Sequence, residues 1–214
     1  MTYIEAILLT GEKWNTLEEC EKIQVLQIIE NHMAFESNRI ACRVEGKFLY
    51  TGTDGIVLGK YDHVSRCIFI NSSQFEPSAK YGQNANTLIK TCIHEGRHAF
   101  QYQATEGLAS HDNREELEVW RYNLKKENYI SFKENPRAYY NQPVEVDARS
   151  FADIKTKELI SERELLELKE MQELNHAKNT FCSHMNKESA ITDTSEKNKV
   201  SDGICKEASD GIRF

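Results

Sequence analysis

The chain has 214 residues, of which 39% are hydrophobic and 29% charged, and it carries a net charge of -7. This length fits one domain, or one domain with a tail, and the acidic balance excludes nucleic acid as the main partner, because phosphate binding needs clustered Lys and Arg. No apolar run approaches the length of a membrane span, and Met1–Thr10 has only a short apolar piece without a basic lead, so neither a membrane anchor nor a secretory signal is expected.

Six cysteines, Cys20, Cys42, Cys67, Cys92, Cys182 and Cys205, are scattered without a C-x-x-C pair. Without an export signal they read as free thiols in a reducing cytoplasm. Cys67 and Cys92 lie in apolar contexts and are expected in the core.

Thr16 and Glu19 form a T-x-x-E capping pattern ahead of Leu17, Ile23, Val25, Leu26, Ile28, Ile29 and Met33, which predicts a core helix over residues 16–35. Glycines at 46, 52, 55 and 59 then separate short runs rich in Val, Ile, Phe and Tyr. Strands are expected at about 40–45, 47–51, 55–60 and 66–71, with a turn at Thr51–Gly55. In the last strand Cys67, Phe69 and Asn71 face one way and Ile68 and Ile70 the other, and a polar loop, Ser72–Asn84, follows.

The next helix is expected over about Asn86–Ala104, capped by Asn84 or Asn86. It carries His94-Glu95-x-x-His98, an H-E-x-x-H motif. Residues four apart share a helix face, about 6 Å apart along the axis. Two imidazoles so placed can bind one zinc ion, and the glutamate beside the first can take a proton from water activated there. Gln101 shares the face of His94 and His98, with Glu95 and Arg97 flanking it. Gly96 costs about 1 kcal/mol relative to Ala within a helix, and its missing side chain leaves room for another backbone to approach.

A charged helix is expected over Asn113–Glu127, with Asp112 or Asn113 as its cap. An irregular aromatic segment, Asn128–Asn141, follows, with a turn at Asn135-Pro136. Pro143 opens a long helix, with a break expected near Ile160-Ser161. Beyond about Asn179 apolar residues become sparse, so residues 179–214 read as a polar, flexible tail to a domain over 1–178.

Zinc needs at least one more protein ligand and a position open to water. Glu145 and Asp147, at a helix start just after a turn, compete for that role. Glu106, Glu115, Glu116 and Glu118 follow the motif too closely or lie in a solvated charge run.

The pattern Pro143-x-Glu145-x-Asp147-Ala148-x-x-Phe151-Ala152, taken with Ile68-Phe69-Ile70-Asn71 and His94–His98, resembles the zincin metallopeptidases of the glutamate-ligand (gluzincin) kind. The nearest likeness is to the ImmA/IrrE-like group and to small metallopeptidase domains of bacterial toxins and phage-related proteins, and it spans roughly residues 60–155. The resemblance implies an α+β, zincin-like fold with a small, mostly antiparallel sheet of three to four strands packed on the motif helix. It also implies that His94, His98 and Glu145 are zinc ligands and Glu95 the general base. Many related enzymes place an acid four residues after the ligand glutamate, where this chain has Arg149; Asp147 offers substitute support for a ligand histidine, or is itself the ligand.

The implied reaction is zinc-dependent hydrolysis of a peptide bond in a protein or peptide, by a bacterial enzyme that is cytoplasmic or delivered to a target cell. A developing oxyanion needs a second donor; Tyr139, Tyr140, His111 and Arg97 are the candidates, with Tyr140 taken as the donor. The alternative is a zincin-like binding or regulatory module that does not cleave. Intact Glu95 argues against it, because a pure binding site needs no base. A structural zinc protein would use four protein ligands, often thiolates, and no cysteine here has such spacing.

Overall fold

The structure is a computed structural model, and it describes residues 1–49, 57–76, 80 and 82–201, with only the backbone described from residue 180 on. Its elements in chain order are α1 (Tyr3–Leu9), α2 (Glu19–Glu36), β1 (Arg43–Lys47), β2 (Gly59–Asp62), β3 (Cys67–Asn71), α3 (Ala85–Thr105), α4 (Arg114–Asn123), α5 (Pro136–Asn141) and α6 (Pro143–Ser201). Single 3-10 turns cover Glu12–Thr16 and Ser72–Gln74. The fold is mixed α+β, as expected from the sequence. Two compact units divide the chain, Met1–Glu164 and Leu165–Phe214.

Helix α1 was not anticipated, although Thr2-x-x-Glu5 is a capping box. The Glu5 N–H donates to Thr2 Oγ1 at 3.2 Å and the Thr2 N–H donates to Glu5 Oε2 at 2.7 Å. The box expected at Thr16 and Glu19 sits two residues later, because Thr16 closes the preceding 3-10 turn. The Glu21 carboxylate accepts the Glu18 N–H at 2.8 Å, and α2 starts at Glu19.

The sheet has three strands among the described residues, in the order β1-β3-β2. β3 pairs antiparallel with β2 and parallel with β1, so the sheet is mixed rather than mostly antiparallel. The cause is topological. β1 and β2 run in opposite senses, and β3, returning from β2 through the Asp62–Arg66 turn, inserts between them. One of its two neighbours must therefore be parallel. The strand expected at 47–51 does not extend beyond Lys47 among the described residues, and the turn at Thr51–Gly55 lies outside them. In β3, Cys67, Ile68, Ile70 and Asn71 are buried, so both faces are covered. Asn71 ends the strand and ties the chain on either side of residues 50–56. Its Nδ2 donates to Leu49 O at 3.1 Å and to Val57 O at 2.8 Å.

Helix α3 packs against α2, β2, β3 and α4, which makes it the centre of the first unit. Buried Val25, Leu26 and Ile29 of α2 and Leu88, Ile89, Cys92 and Ile93 of α3 supply much of the core. Gly96 faces Glu30 of α2 and Arg39. A Cβ there would lie 2.7 Å from Glu30 Oε2 and 2.8 Å from Arg39 Nη2. The gap admits a buried ion pair, not a second backbone: Arg39 grips Glu30 through two bonds, at 2.6 and 2.7 Å. Glu30 Oε1 also accepts the Cys42 N–H at 2.8 Å, tying the start of β1 to α2. Gly96→Ala should therefore lower the stability of the protein by about 1–3 kcal/mol, because overpacking against the pair outweighs the gain in helix propensity. Urea unfolding followed by circular dichroism tests this, and an unchanged or higher midpoint contradicts it.

Helix α4 ends at Asn123 rather than near Glu127, and the Asn135-Pro136 turn proves to be the start of α5. Asn135 Oδ1 accepts the Ala138 N–H at 3.0 Å, with Pro136 at the first helical position. Helix α6 passes Ile160-Ser161 without a break. Residues 144–201 contain neither Pro nor Gly, so nothing local stops it. The second unit is helical through Ser201, with Leu165, Leu168, Met171 and Leu174 exposed. Among the described residues no helix is long and apolar enough to cross a membrane.

Candidate metal centre

Helix α3 is fixed at its start by Asn84, whose Oδ1 accepts the Thr87 N–H at 2.9 Å. It then presents His94 and His98 one turn apart, with their Nε2 atoms 3.2 Å from each other. The third group comes from the first turn of α6. Gln142, just before it, clamps the Ile130 backbone, accepting the N–H at 2.8 Å and donating to the carbonyl at 2.7 Å. Asn123 Oδ1 accepts the Val144 N–H at 3.3 Å. Val144 itself is sunk among Phe100, Ala104, Ala109 and Trp120. A side chain one residue on is thereby aimed back at α3.

That side chain is Glu145, 1% exposed. Its Oε2 lies 3.4 Å from His94 Nε2 and its Oε1 3.4 Å from His98 Nε2. The three ligand atoms of His94, His98 and Glu145 lie within 4.8 Å of one another. Their fit to a cation can be judged from the carboxylate. Tyr129 donates its hydroxyl to Glu145 Oε1 at 2.8 Å, while Oε2 is buried and makes no hydrogen bond to any described residue. A buried carboxylate oxygen with no donor is costly. Two imidazole nitrogens and one carboxylate oxygen are the donor set of a catalytic zinc site, which keeps a further position open. The residues present fit zinc.

Glu145 and the imidazoles facing it shift one another. Burial alone would raise Glu145, but the facing His94 and His98 imidazoles hold its carboxyl well below the usual carboxylate range. Burial alone would keep His98 neutral, but the Glu145 carboxylate pushes it up to about 9. A cation bound at these nitrogens takes the place of that proton.

The outer support of His98 runs through Gln101. His98 Nδ1 lies 2.9 Å from Gln101 Oε1. The Gln101 amide nitrogen is already committed, to Val144 O at 2.9 Å and Asp147 Oδ2 at 2.7 Å. Oε1 is therefore the atom facing the ring, so Nδ1 must carry a hydrogen, and Nε2 is left to point at Glu145. Asp147, the competing third ligand, has both oxygens engaged: Arg97 donates to Oδ2 at 2.8 Å and to Oδ1 at 3.0 Å. Arg97 is caged by Phe100, Phe151 and Trp120, with its guanidinium carbon 4.5, 4.7 and 5.3 Å from their ring centres. Asp147→Asn should therefore weaken zinc binding about 10–100-fold without abolishing it. Competition with a chelator of known affinity measures this. An unchanged dissociation constant contradicts the relay, and complete loss of zinc would make Asp147 a ligand.

Glu95 points away from the cluster's outer support, toward the sheet. It is 9% exposed, and its Oε2 accepts the Tyr61 N–H of β2 at 2.7 Å. The close approach of β2 to α3 depends on Gly59, where a Cβ would lie 2.6 Å from Thr91 Cγ2 and 3.2 Å from Glu95 Cγ.

The other sequence candidates fall elsewhere. Tyr140 is 49% exposed, with its ring under the Arg149 guanidinium at 5.0 Å. His111 Nε2 is 2.8 Å from Glu116 Oε2, and its ring stacks on Trp120. Glu106, Glu115 and Glu118 are exposed. Tyr139 is half-buried, and burial together with the nearby Glu145 charge pushes its hydroxyl up. Tyr129 is the residue the sequence did not reveal. It reaches Glu145 across a loop whose course no local pattern announces.

No known family, no curated protein and no solved structure matches this chain.

Proposed function

We infer that this protein is a zinc-dependent peptidase with a zincin-like fold. The observation that carries the reading is the convergence of His94, His98 and buried Glu145, from two helices, around one point, with Glu95 in the adjoining position of α3. Zinc held by those three side chains would polarise a peptide carbonyl and activate water beside it.

The remaining work falls to groups of the chain. Gln101 and Asp147 fix the orientation of His98, and Tyr129 fixes that of Glu145. The Tyr61 N–H holds Glu95 Oε2, so Oε1 takes the proton of the attacking water and later returns it to the departing amine. Burial of Glu95 behind β2 keeps bulk water from competing for that proton. The substrate is a protein or peptide.

Labelling of new amino termini in a bacterial lysate, incubated with wild-type protein or with Glu95→Gln, tests the reading. New termini that appear only with the wild type and only with zinc are expected. Identical termini with both proteins overturn it.

A further inference from the structure

From α6, Arg149 faces the candidate metal centre. Its Nη1 lies 3.9 Å from Glu145 Oε2. Nη1 is buried and makes no hydrogen bond to any described residue, and the same is true of the carboxylate oxygen it faces. The other arm of the guanidinium is anchored, with Nη2 donating to the Tyr140 carbonyl and the plane resting on the Tyr140 ring. A side chain held this way leaves both N–H groups of Nη1 without an acceptor at a fixed place. A buried donor without an acceptor is costly, and a bound acceptor removes that cost.

The charge count indicates what kind of acceptor. Glu95 and Glu145 offset a dication, and both imidazoles are neutral when they ligate. Arg149 then leaves the centre with one positive charge in excess, suited to an anionic oxygen. Two other candidate donors are already spent: Arg97 on Asp147, and His111 on Glu116. A guanidinium keeps its protons in proteins, so Arg149 stabilises charge and does not act as the acid.

We propose that Arg149, through Nη1, binds the substrate acyl oxygen as that oxygen becomes negative; this rests on the zinc-peptidase reading. As the water oxygen bonds to the carbonyl carbon, the carbonyl π pair moves onto the acyl oxygen and the water proton goes to Glu95. Arg149 donates to the oxygen through that stage. When the pair returns, the carbon–nitrogen bond breaks and Glu95 gives its proton to the amine. Arg149 is thus a catalytic residue, and Tyr140 positions it.

The full chain, stripped of metal and reloaded with cobalt, permits a test that does not depend on turnover, since the visible spectrum of cobalt reports what reaches the site. Two probes are titrated. N-phosphoryl-leucinamide carries a tetrahedral anionic group resembling the attacked carbonyl, and acetohydroxamate ligates without a tetrahedral centre. In Arg149→Gln, affinity for the phosphoryl probe should fall about 100-fold, while cobalt stoichiometry and acetohydroxamate affinity stay within a few-fold of wild type. Arg149→Lys should recover part of the loss. Undiminished phosphoryl affinity in Arg149→Gln, or cobalt-loaded wild type that ignores the phosphoryl probe, overturns the role of Arg149. Equal loss for both probes, or loss of cobalt, reduces Arg149 to a neutraliser of Glu145. Wild-type protein that takes up no cobalt overturns the metal reading, and this proposal with it.

Discussion

Glu145→Ala should purify without zinc and fail to take it up at micromolar concentration. The side chain is 1% exposed and lies within ion-pair distance of both histidines. Removing it leaves two imidazoles on one helix turn, short of the three protein ligands that catalytic zinc sites use. The effect should exceed the roughly 10–100-fold losses caused by changing groups that only support a ligand, and so should exceed that of Asp147→Asn. Two controls separate ligand loss from misfolding. Glu145→Gln keeps the volume and a partner for Tyr129, and circular dichroism of both variants reports the helices. Folded Glu145→Ala that binds zinc as tightly as wild type would remove Glu145 from the site.

Glu95→Gln should have the opposite profile, with zinc retained and hydrolysis lost. The amide oxygen can still accept the Tyr61 N–H, so the α3–β2 contact survives. What disappears is a group that accepts a proton and gives it back. General acid–base catalysis by a positioned side chain contributes about 10²- to 10⁴-fold, and turnover of a substrate peptide should fall by at least that factor. Zinc content by mass spectrometry and initial rates on a fluorogenic peptide, measured on the same preparation, decide the matter. A variant that still cleaves at close to the wild-type rate would exclude Glu95 as the base. One that loses zinc would mean Glu95 holds the site together instead.

The parts of this centre that were legible in the sequence are those written in local spacing. His94 and His98 are one helical turn apart, a relation that survives any folding of the rest of the chain. Asn84 and Asn113 are caps because their side chains satisfy N–H groups three residues away. Glu145 was placed less directly, by its position at a helix start and by resemblance, and the structure brings it to the two histidines. The parts that were not legible depend on groups far apart in the chain. Gly96 is explained only by Glu30 and Arg39, which reach it from α2 and the segment after it. Gln101 is a relay only because Asp147 arrives from α6 with Arg97 already bound. Tyr140, taken from the sequence as the oxyanion donor, is 49% exposed and lies under Arg149, whereas Tyr129, which no local pattern singles out, donates to Glu145. The sense of strand pairing was missed for a similar reason: alternation along β3 specifies its faces but not its neighbours.

The most direct test of the account is the zinc content of the wild-type chain after chelation, dialysis and reloading, with His98→Ala carried alongside. Wild-type protein should hold about one equivalent of tightly bound zinc per chain, and His98→Ala none. Folded wild-type protein that neither carries zinc nor takes it up would contradict it.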